Sequence, residues 1–197
     1  MEKESQRVLA ELFEHGLLLE IDARLPNVCA LVVGEPVRGS WWAHPRSYEI
    51  FRVNCALADH PDVLVAKLVS GKITYVHRSL WPAIIAAGRA REAPQAGNLS
   101  SDARKLLARV EKAPVLPDRA LAKAASELEK LLLVSSEQFH TESGAHARRL
   151  ESWESWSKRT GFIAPAMTGP QARRKLEEVL DSLNRRFQAR GRLPWQP

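Results

Sequence analysis

A predicted β-hairpin at residues 64–77 constrains the fold of this chain more than any other feature. Its strands are rich in Val, Ile, Leu, Tyr and Thr, and Ser70-Gly71 between them suits a two-residue turn. The residues before it, 46–59, have apolar side chains at helical spacing, and Pro61 ends that pattern. The sequence therefore predicts a helix that leads directly into a tight antiparallel hairpin.

A helix followed by such a hairpin is the outline of a winged helix-turn-helix, and the chain predicts two modules of this kind. The first module is expected at residues 1–92, and a linker with a short helix at 93–117. A second winged-helix-like module follows at 118–162, and a basic C-terminal helix and tail at 163–197. The predicted fold class is mainly α with small β-hairpins (α+β), built as tandem winged helix-turn-helix-like modules plus a C-terminal helix.

The second module is expected to repeat the order of elements in the first. A helix that Asp118 can cap leads into an apolar run at 132–134 and a returning strand at 138–141. The helix after that strand is predicted to carry a set of apolar residues at helical spacing: Ala147, Leu150, Trp153 and Trp156. The two halves share too little sequence to count as a duplication.

Bulk properties describe an ordinary globular protein. Of the 197 residues, 45% are apolar and 26% are charged, which permits a sizeable core. No apolar run approaches the roughly 20 residues that span a bilayer, and the N-terminus is charged where a signal peptide is apolar. We therefore expect a cytoplasmic protein with no membrane partner.

Cys29 and Cys55 lie in apolar helical patterns, which favours buried free thiols over a disulfide or a metal pair.

The net charge of +6 is concentrated in the second half of the chain. Residues 1–98 carry 11 basic and 11 acidic side chains, whereas residues 99–197 carry 18 and 12. This asymmetry favours a surface that faces a polyanion. The alternative is that the basic residues form ordinary solvated helix faces.

The loop at residues 39–49 contains three aromatic residues, a histidine and an arginine in a segment bounded by Gly and Pro. Because neighbouring side chains point in different directions, Trp41 and Trp42 cannot both be covered by their own element. We expect Trp42 to be buried near the following helix and Trp41 to be partly exposed beside Arg46.

Three groups of residues are candidates for nucleic-acid binding. In the loop, Arg46 can contact a phosphate or a guanine edge, and a tryptophan can stack on an unpaired base or insert between base pairs. Alternatively, both tryptophans fill the helix–hairpin junction and His44 caps a helix. Cations on the hairpin fit a basic wing, or edge-strand residues that discourage aggregation. Cations on the C-terminal helix can track phosphates, or form a solvated face. The candidates are Trp41, His44, Arg46 and Tyr48 in the loop, Lys67, Lys72 and Arg78 on the hairpin, and Arg174, Arg185 and Arg186 on the C-terminal helix.

Catalysis has weaker sequence support. Glu49, Glu137 and Glu142 are possible general bases, and Lys67 or Lys72 is a possible Schiff-base nucleophile. No Walker loop, GxGxxG, CxxC or GxSxG element occurs, and we expect no cofactor. The string His140-Thr141-Glu142 with His146 has metal-binding residue types, but its spacing does not make the ligands converge, so no metal is expected.

The layout over roughly residues 1–160 resembles the winged-helix DNA-binding proteins related to the AlkZ/YcaQ crosslink-repair glycosylases, which are built from tandem winged helices. The resemblance is one of architecture. The catalytic Gln-x-Gln or Gln-x-Asp signature of those enzymes has no counterpart here, because the nearest string, Glu137-Gln138-Phe139-His140, departs from it. The resemblance therefore implies tandem winged helices and a DNA partner, and no catalytic residue.

The sequence thus favours a winged-helix protein that binds double-stranded DNA in a non-catalytic or regulatory role. One alternative is a DNA-repair enzyme of glycosylase or lyase type that acts on a damaged duplex. Another is a protein-interaction module, because winged helices also bind proteins. The oligomeric state does not follow from the sequence.

Overall fold

The structure, a computed structural model, describes residues 2–140 and 146–196. Its helices are α1 (Glu2–His15), α2 (Val28–Val33), α3 (Ser47–Ala58), α4 (Trp81–Ala90), α5 (Ala93–Ala96), α6 (Ser101–Val110), α7 (Ala122–Lys130), α8 (Trp153–Thr160) and α9 (Gly169–Arg186). Its strands are β1 (Leu17–Leu19), β2 (Val63–Val69), β3 (Lys72–His77), β4 (Ser135–His140) and β5 (His146–Glu151). The predicted class, mainly α with small β-hairpins, is confirmed.

The N-terminal unit has the topology of a winged helix. Its elements follow in the order α1, β1, α2, α3, β2 and β3, and the sheet order is β1-β3-β2 with antiparallel pairing throughout. Strand β3 is central because β1 pairs with one edge and β2 with the other. We call the β2–β3 hairpin the first wing.

The turn of the first wing is a two-residue connection, as predicted. Ser70 has φ 53° and Gly71 has φ 67°, and Val69 faces Lys72 across the turn. Two consecutive residues with positive φ are the mark of a type I′ turn, whose twist matches that of the flanking strands. Gly71 adopts this conformation without the steric cost that a side chain would bring.

The C-terminal unit repeats the order in reduced form. Helix α6 is followed by a single antiparallel bridge between Val115 and Leu150, then α7, and then the β4–β5 hairpin, which we call the second wing. Where the first unit has a second helix, this unit has a turn in which Asp118 Oδ1 accepts from Leu121 N at 3.0 Å.

Residues 93–117, predicted as a linker with a short helix, contain α5 and α6. Helix α6 buries an apolar face that packs against α7 in one hydrophobic cluster, together with Leu128 and Leu150. It is therefore the first helix of the C-terminal unit. The helical spacing of its apolar residues is visible in the sequence, but the prolines on either side are also typical of a linker.

The predicted helix through Ala147 and Leu150 is wrong, because both residues lie in β5. The four apolar residues are spaced three apart, which fits a helix, yet the helix begins only at Trp153. Its start is set by Ser152, whose side chain accepts a hydrogen bond from Ser155 N. Upstream of this cap the chain is extended and pairs with β4.

The two units and the C-terminal tail share one core. Helix α9 packs along α4 and buries Leu176, Leu180 and Leu183. The same cluster contains Leu17 from the first unit and Leu193 from the tail. The units are therefore joined by continuous apolar packing. Within the described residues, no helix combines the length and the apolar character needed to cross a bilayer.

The two thiols have different environments. Cys29 is buried as expected, and its pKa is raised to about 12. Burial is the main cause, and the nearby Glu20 carboxylate adds to it. Cys55 is exposed on α3, contrary to the prediction, because the apolar face of that helix is formed by neighbouring residues such as Val53 and Leu57.

Replacing Gly71 by Val is expected to lower the free energy of unfolding by about 1–3 kcal/mol, because a β-branched residue is strained at positive φ. The control is Gly71→Asn, since Asn tolerates the left-handed conformation while adding a similar Cβ beside Lys130. Urea unfolding measures both variants. Equal losses would show that contact with Lys130, and not backbone strain, dominates.

Candidate nucleic-acid interface

The two tryptophans of the 39–49 loop have exposures opposite to those expected. Trp41 is 5% exposed and Trp42 is 63% exposed. Their rings are stacked with centroids 3.9 Å apart, on a 3₁₀ turn formed by Trp41–Ala43. Trp41 belongs to the hydrophobic cluster of the first unit and its indole bonds to the side chain of Glu20. The pKa of Glu20 is raised by burial, and this hydrogen bond opposes the rise.

Arg46, whose side chain is partly exposed, is held in place by three contacts. Its guanidinium lies 2.7 Å from Glu49, 2.8 Å from Glu4 and 2.5 Å from the carbonyl oxygen of Val32. The group predicted to meet DNA is therefore engaged with two carboxylates, and Glu49, the candidate base, is one of them. His44 accepts from Arg46 N through Nδ1 at 3.1 Å, which supports the start of α3.

Every cation predicted on the first wing also contacts a carboxylate. Lys72 Nζ lies 2.7 Å from Asp22, and Arg78 lies 3.4 Å from Asp62 while its guanidinium stacks 5.2 Å from the ring of Trp81. Lys67 lies where the β2–β3 register shifts, between Ala66 and Val69. Such irregularities redirect side chains, and Lys67 reaches across to the C-terminal unit.

The residue that Lys67 reaches is Glu129, a buried carboxylate on α7. Its side chain is 3% exposed and lies 2.6 Å from Lys67 Nζ and 3.0 Å from the guanidinium of Arg148 on β5. Ser136 on β4 donates to it at 2.6 Å. One carboxylate thus joins the two wings, and because it is shared by two cations the group keeps a net positive charge. We call Lys67, Glu129 and Arg148 the Glu129 triad.

The tip of the first wing is attached to the C-terminal tail. Ser70 N donates to the carbonyl oxygen of Arg192 at 2.7 Å, and Arg192 N donates back to Ser70 Oγ at 3.2 Å. The side chain of Lys130, at the end of α7, lies against Gly71. Arg24 reaches the other side of the tail and donates to the carbonyl oxygen of Gln188 at 2.9 Å.

These contacts gather basic residues from five separated parts of the chain onto one surface. We call this surface the wing junction; its basic residues are Arg24, Lys67, Lys72, Lys130, Arg148 and Arg192. Two carboxylates, Asp22 and Glu129, contact them. Six positive side chains against two negative ones give a local excess of four charges. The second wing's other face is balanced, since Glu137 and Glu151 there pair with arginines.

The cations predicted on the C-terminal helix divide into two kinds. Arg186 pairs with Glu14 at 2.7 Å and stacks on the ring of Phe187. Arg174 and Arg185 are exposed and, within the described residues, have no ion-pair partner. They are accompanied on the helix by exposed acidic residues, so the charge excess there is smaller than at the wing junction.

The candidate catalytic residues do not come together. Glu49 and Lys67 are in ion pairs on different elements, Glu137 pairs with Arg149 at 2.5 Å, and Glu142 lies outside the described residues. Two clefts of about 420 and 320 Å³ flank Arg89, and none of the three described candidates, Glu49, Lys67 and Glu137, lines them.

Metal-ligating residue types are close together in one place within the described part of the chain. Glu11, Glu14 and His15 lie on one turn of α1, and Glu14 is already paired with Arg186. The two imidazole nitrogens face different carboxylates, at 3.2 and 3.8 Å, so the three groups do not converge as ligands of one ion. The predicted His140 and His146 side chains lie outside what the structure describes.

Replacing each tryptophan by alanine tests whether Trp41 is buried and Trp42 is exposed. Trp41→Ala is expected to lower the free energy of unfolding by about 3–5 kcal/mol because a large buried side chain is removed. Trp42→Ala is expected to cost less than about 1.5 kcal/mol, since it loses mainly the stacking contact with Trp41. Urea unfolding in dilute solution measures both; similar losses would contradict the difference in burial.

Removing the charge of the Glu129 triad is expected to destabilise the protein. Glu129→Gln leaves Lys67 and Arg148 without an anionic partner in a half-buried position, at a cost of about 2–4 kcal/mol. Glu137→Gln is the matched control, because that residue is exposed and its ion pairs are worth about 1 kcal/mol or less. Thermal or urea unfolding compares them. A loss no larger for Glu129→Gln than for the control would refute the role given to this carboxylate.

Three residues of the wing junction carry no signal in the sequence: Arg24, Lys130 and Arg148. Each is brought to the surface by contacts with distant segments. A detectable clue is Glu129, which follows the apolar stripe of α7 at Ala125 and Leu128, because a carboxylate at such a position needs a cationic or hydrogen-bonding partner.

Among known proteins, no family model, no curated protein and no solved structure matches the chain.

Proposed function

We propose that this protein binds double-stranded DNA without catalysing a reaction, and that the wing junction is its contact surface. The observation that carries the proposal is the charge excess at the junction. Lys130 and Arg192 are exposed there and, within the described residues, have no ion-pair partner. Cations that are exposed and unpaired are available to neutralise phosphates and to release their counterions.

The shape of the surface supports a duplex as the ligand. Two hairpins lie side by side, and α7 precedes the second wing in the position where helix-turn-helix proteins place the helix that enters the major groove. Lys123 and Lys130 lie two turns apart on the exposed side of α7. We propose that α7 and the junction follow the phosphates together, which gives affinity with little sequence preference.

The first unit is assigned a smaller part in this binding than its sequence predicts. The cationic group of its loop, Arg46, is paired with Glu4 and Glu49. A polyanion gains little electrostatic binding energy from a surface whose charges are already neutralised. We therefore propose the wing junction, and not the 39–49 loop, as the main DNA contact.

Charge reversal at the junction tests the proposal. Lys130→Glu with Arg192→Glu is expected to weaken binding to duplexes of any sequence by roughly tenfold or more, and to reduce the slope of log affinity against log salt by about 2. The matched control is Arg174→Glu with Lys175→Glu on α9, which makes the same change of charge at exposed positions away from the junction.

Fluorescence anisotropy with labelled duplexes at several salt concentrations gives both quantities. Equal losses in the two double variants would show that binding depends on net charge alone, and unchanged affinity in the junction variant would reject the junction. Abasic and alkylated duplexes in the same assay, followed for base release or borohydride trapping, test the repair-enzyme alternative.

A further inference from the structure

An exposed aromatic surface lies on α3 and the 3₁₀ turn that precedes it. Tyr48 is 69% exposed, Trp42 is 63% exposed and Phe51 is 41% exposed. The rings of Trp42 and Phe51 are 5.9 Å apart, and the guanidinium of Arg52 lies 5.8 Å above the ring of Tyr48. Cys55, also exposed, follows one turn after Phe51. We call this surface the aromatic face.

The aromatic face is close to electrically neutral. Arg46 at its edge is held by Glu4 and Glu49, as described above, and Arg52 is followed by Asp59 at the end of α3. A contiguous exposed apolar patch of this kind is often a functional interaction site. Trp, Tyr and Arg are also the residues that dominate binding energy at protein interfaces.

We propose that the aromatic face binds a second copy of this chain across a two-fold axis. In such an isologous interface each subunit presents the same surface, so the surface must be compatible with itself. A neutral face meets its copy without repulsion between like charges, whereas the basic wing junction repels its copy. The exposed ring of Trp42 can stack in offset fashion on the corresponding ring of the second subunit.

The size of the aromatic face is consistent with a dimer of moderate strength. Its three rings present roughly 400 Å² of exposed surface per subunit, which is about half of the 800 Å² that each partner buries in a standard interface. The neighbouring exposed residues on α3 and the preceding loop supply the surrounding area: Ser40, Ala43, Arg52, Cys55 and Ala56.

Sedimentation equilibrium of the full chain, from low micromolar to submillimolar concentration, tests the proposal. The wild-type protein is expected to show a monomer–dimer equilibrium that persists at high salt, because the contact is apolar. Trp42→Glu with Tyr48→Glu is expected to be monomeric over the whole range. Both residues are exposed, and Tyr48 lies in the first turn of α3, where a carboxylate is favourable, so the variant should fold normally.

The matched control is Ile163→Glu, which places a charge at an apolar residue that is 91% exposed and distant in sequence from the face. It is expected to dimerise like the wild type. A wild-type protein that stays monomeric throughout overturns the proposal, as does a dimer that survives in the double variant. Maleimide labelling of Cys55 is an independent readout. The labelling rate should fall as the concentration of the wild-type protein rises, and it should stay constant in the double variant. A wild-type labelling rate that does not depend on concentration would contradict dimerisation through the aromatic face.

Discussion

The arrangement of the two wings depends on one buried carboxylate. Glu129 lies on α7 of the C-terminal unit and contacts a lysine from the first wing and an arginine from the second. Burying a charge is costly unless it is paired and hydrogen-bonded, and here two cations and the hydroxyl of Ser136 meet both conditions. The same contacts bring two positive side chains close together, which without the carboxylate would repel each other. Glu129 thereby makes a concentrated positive surface compatible with a folded state.

The fold separates two surfaces of different character. Helix α3, which in a winged helix is the usual reader of the major groove, presents aromatic rings and the ion-paired Glu49, whereas the unpaired cations Lys130 and Arg192 lie where the first wing meets the tail. Apolar and electrostatic association respond in opposite ways to salt, so the two proposed contacts can be studied independently. If both proposals hold, dimerisation would double the number of wing junctions that one assembly presents to a duplex.

Local patterns predicted most of the secondary structure but little of the candidate site. Ser70-Gly71 gave the turn of the first wing and residues 46–59 gave α3, because turn chemistry and helical spacing act over a few residues. The exposure of Trp41 and Trp42 was not predictable, since adjacent side chains point apart and only packing against the first unit decides which is covered. The Glu129 triad joins residues more than 60 positions apart, and no local rule connects them.

The placement of Leu193 within the same core as Leu17 has a consequence for biosynthesis. The core strands of the first unit emerge from the ribosome before Leu193, which supplies part of their final packing surface, and the hydrogen bonds between Ser70 and Arg192 form only after that later segment appears. During translation the nascent N-terminal unit therefore exposes apolar surface for the time needed to add more than one hundred residues. This delay makes it a candidate client for chaperones that act near the exit tunnel.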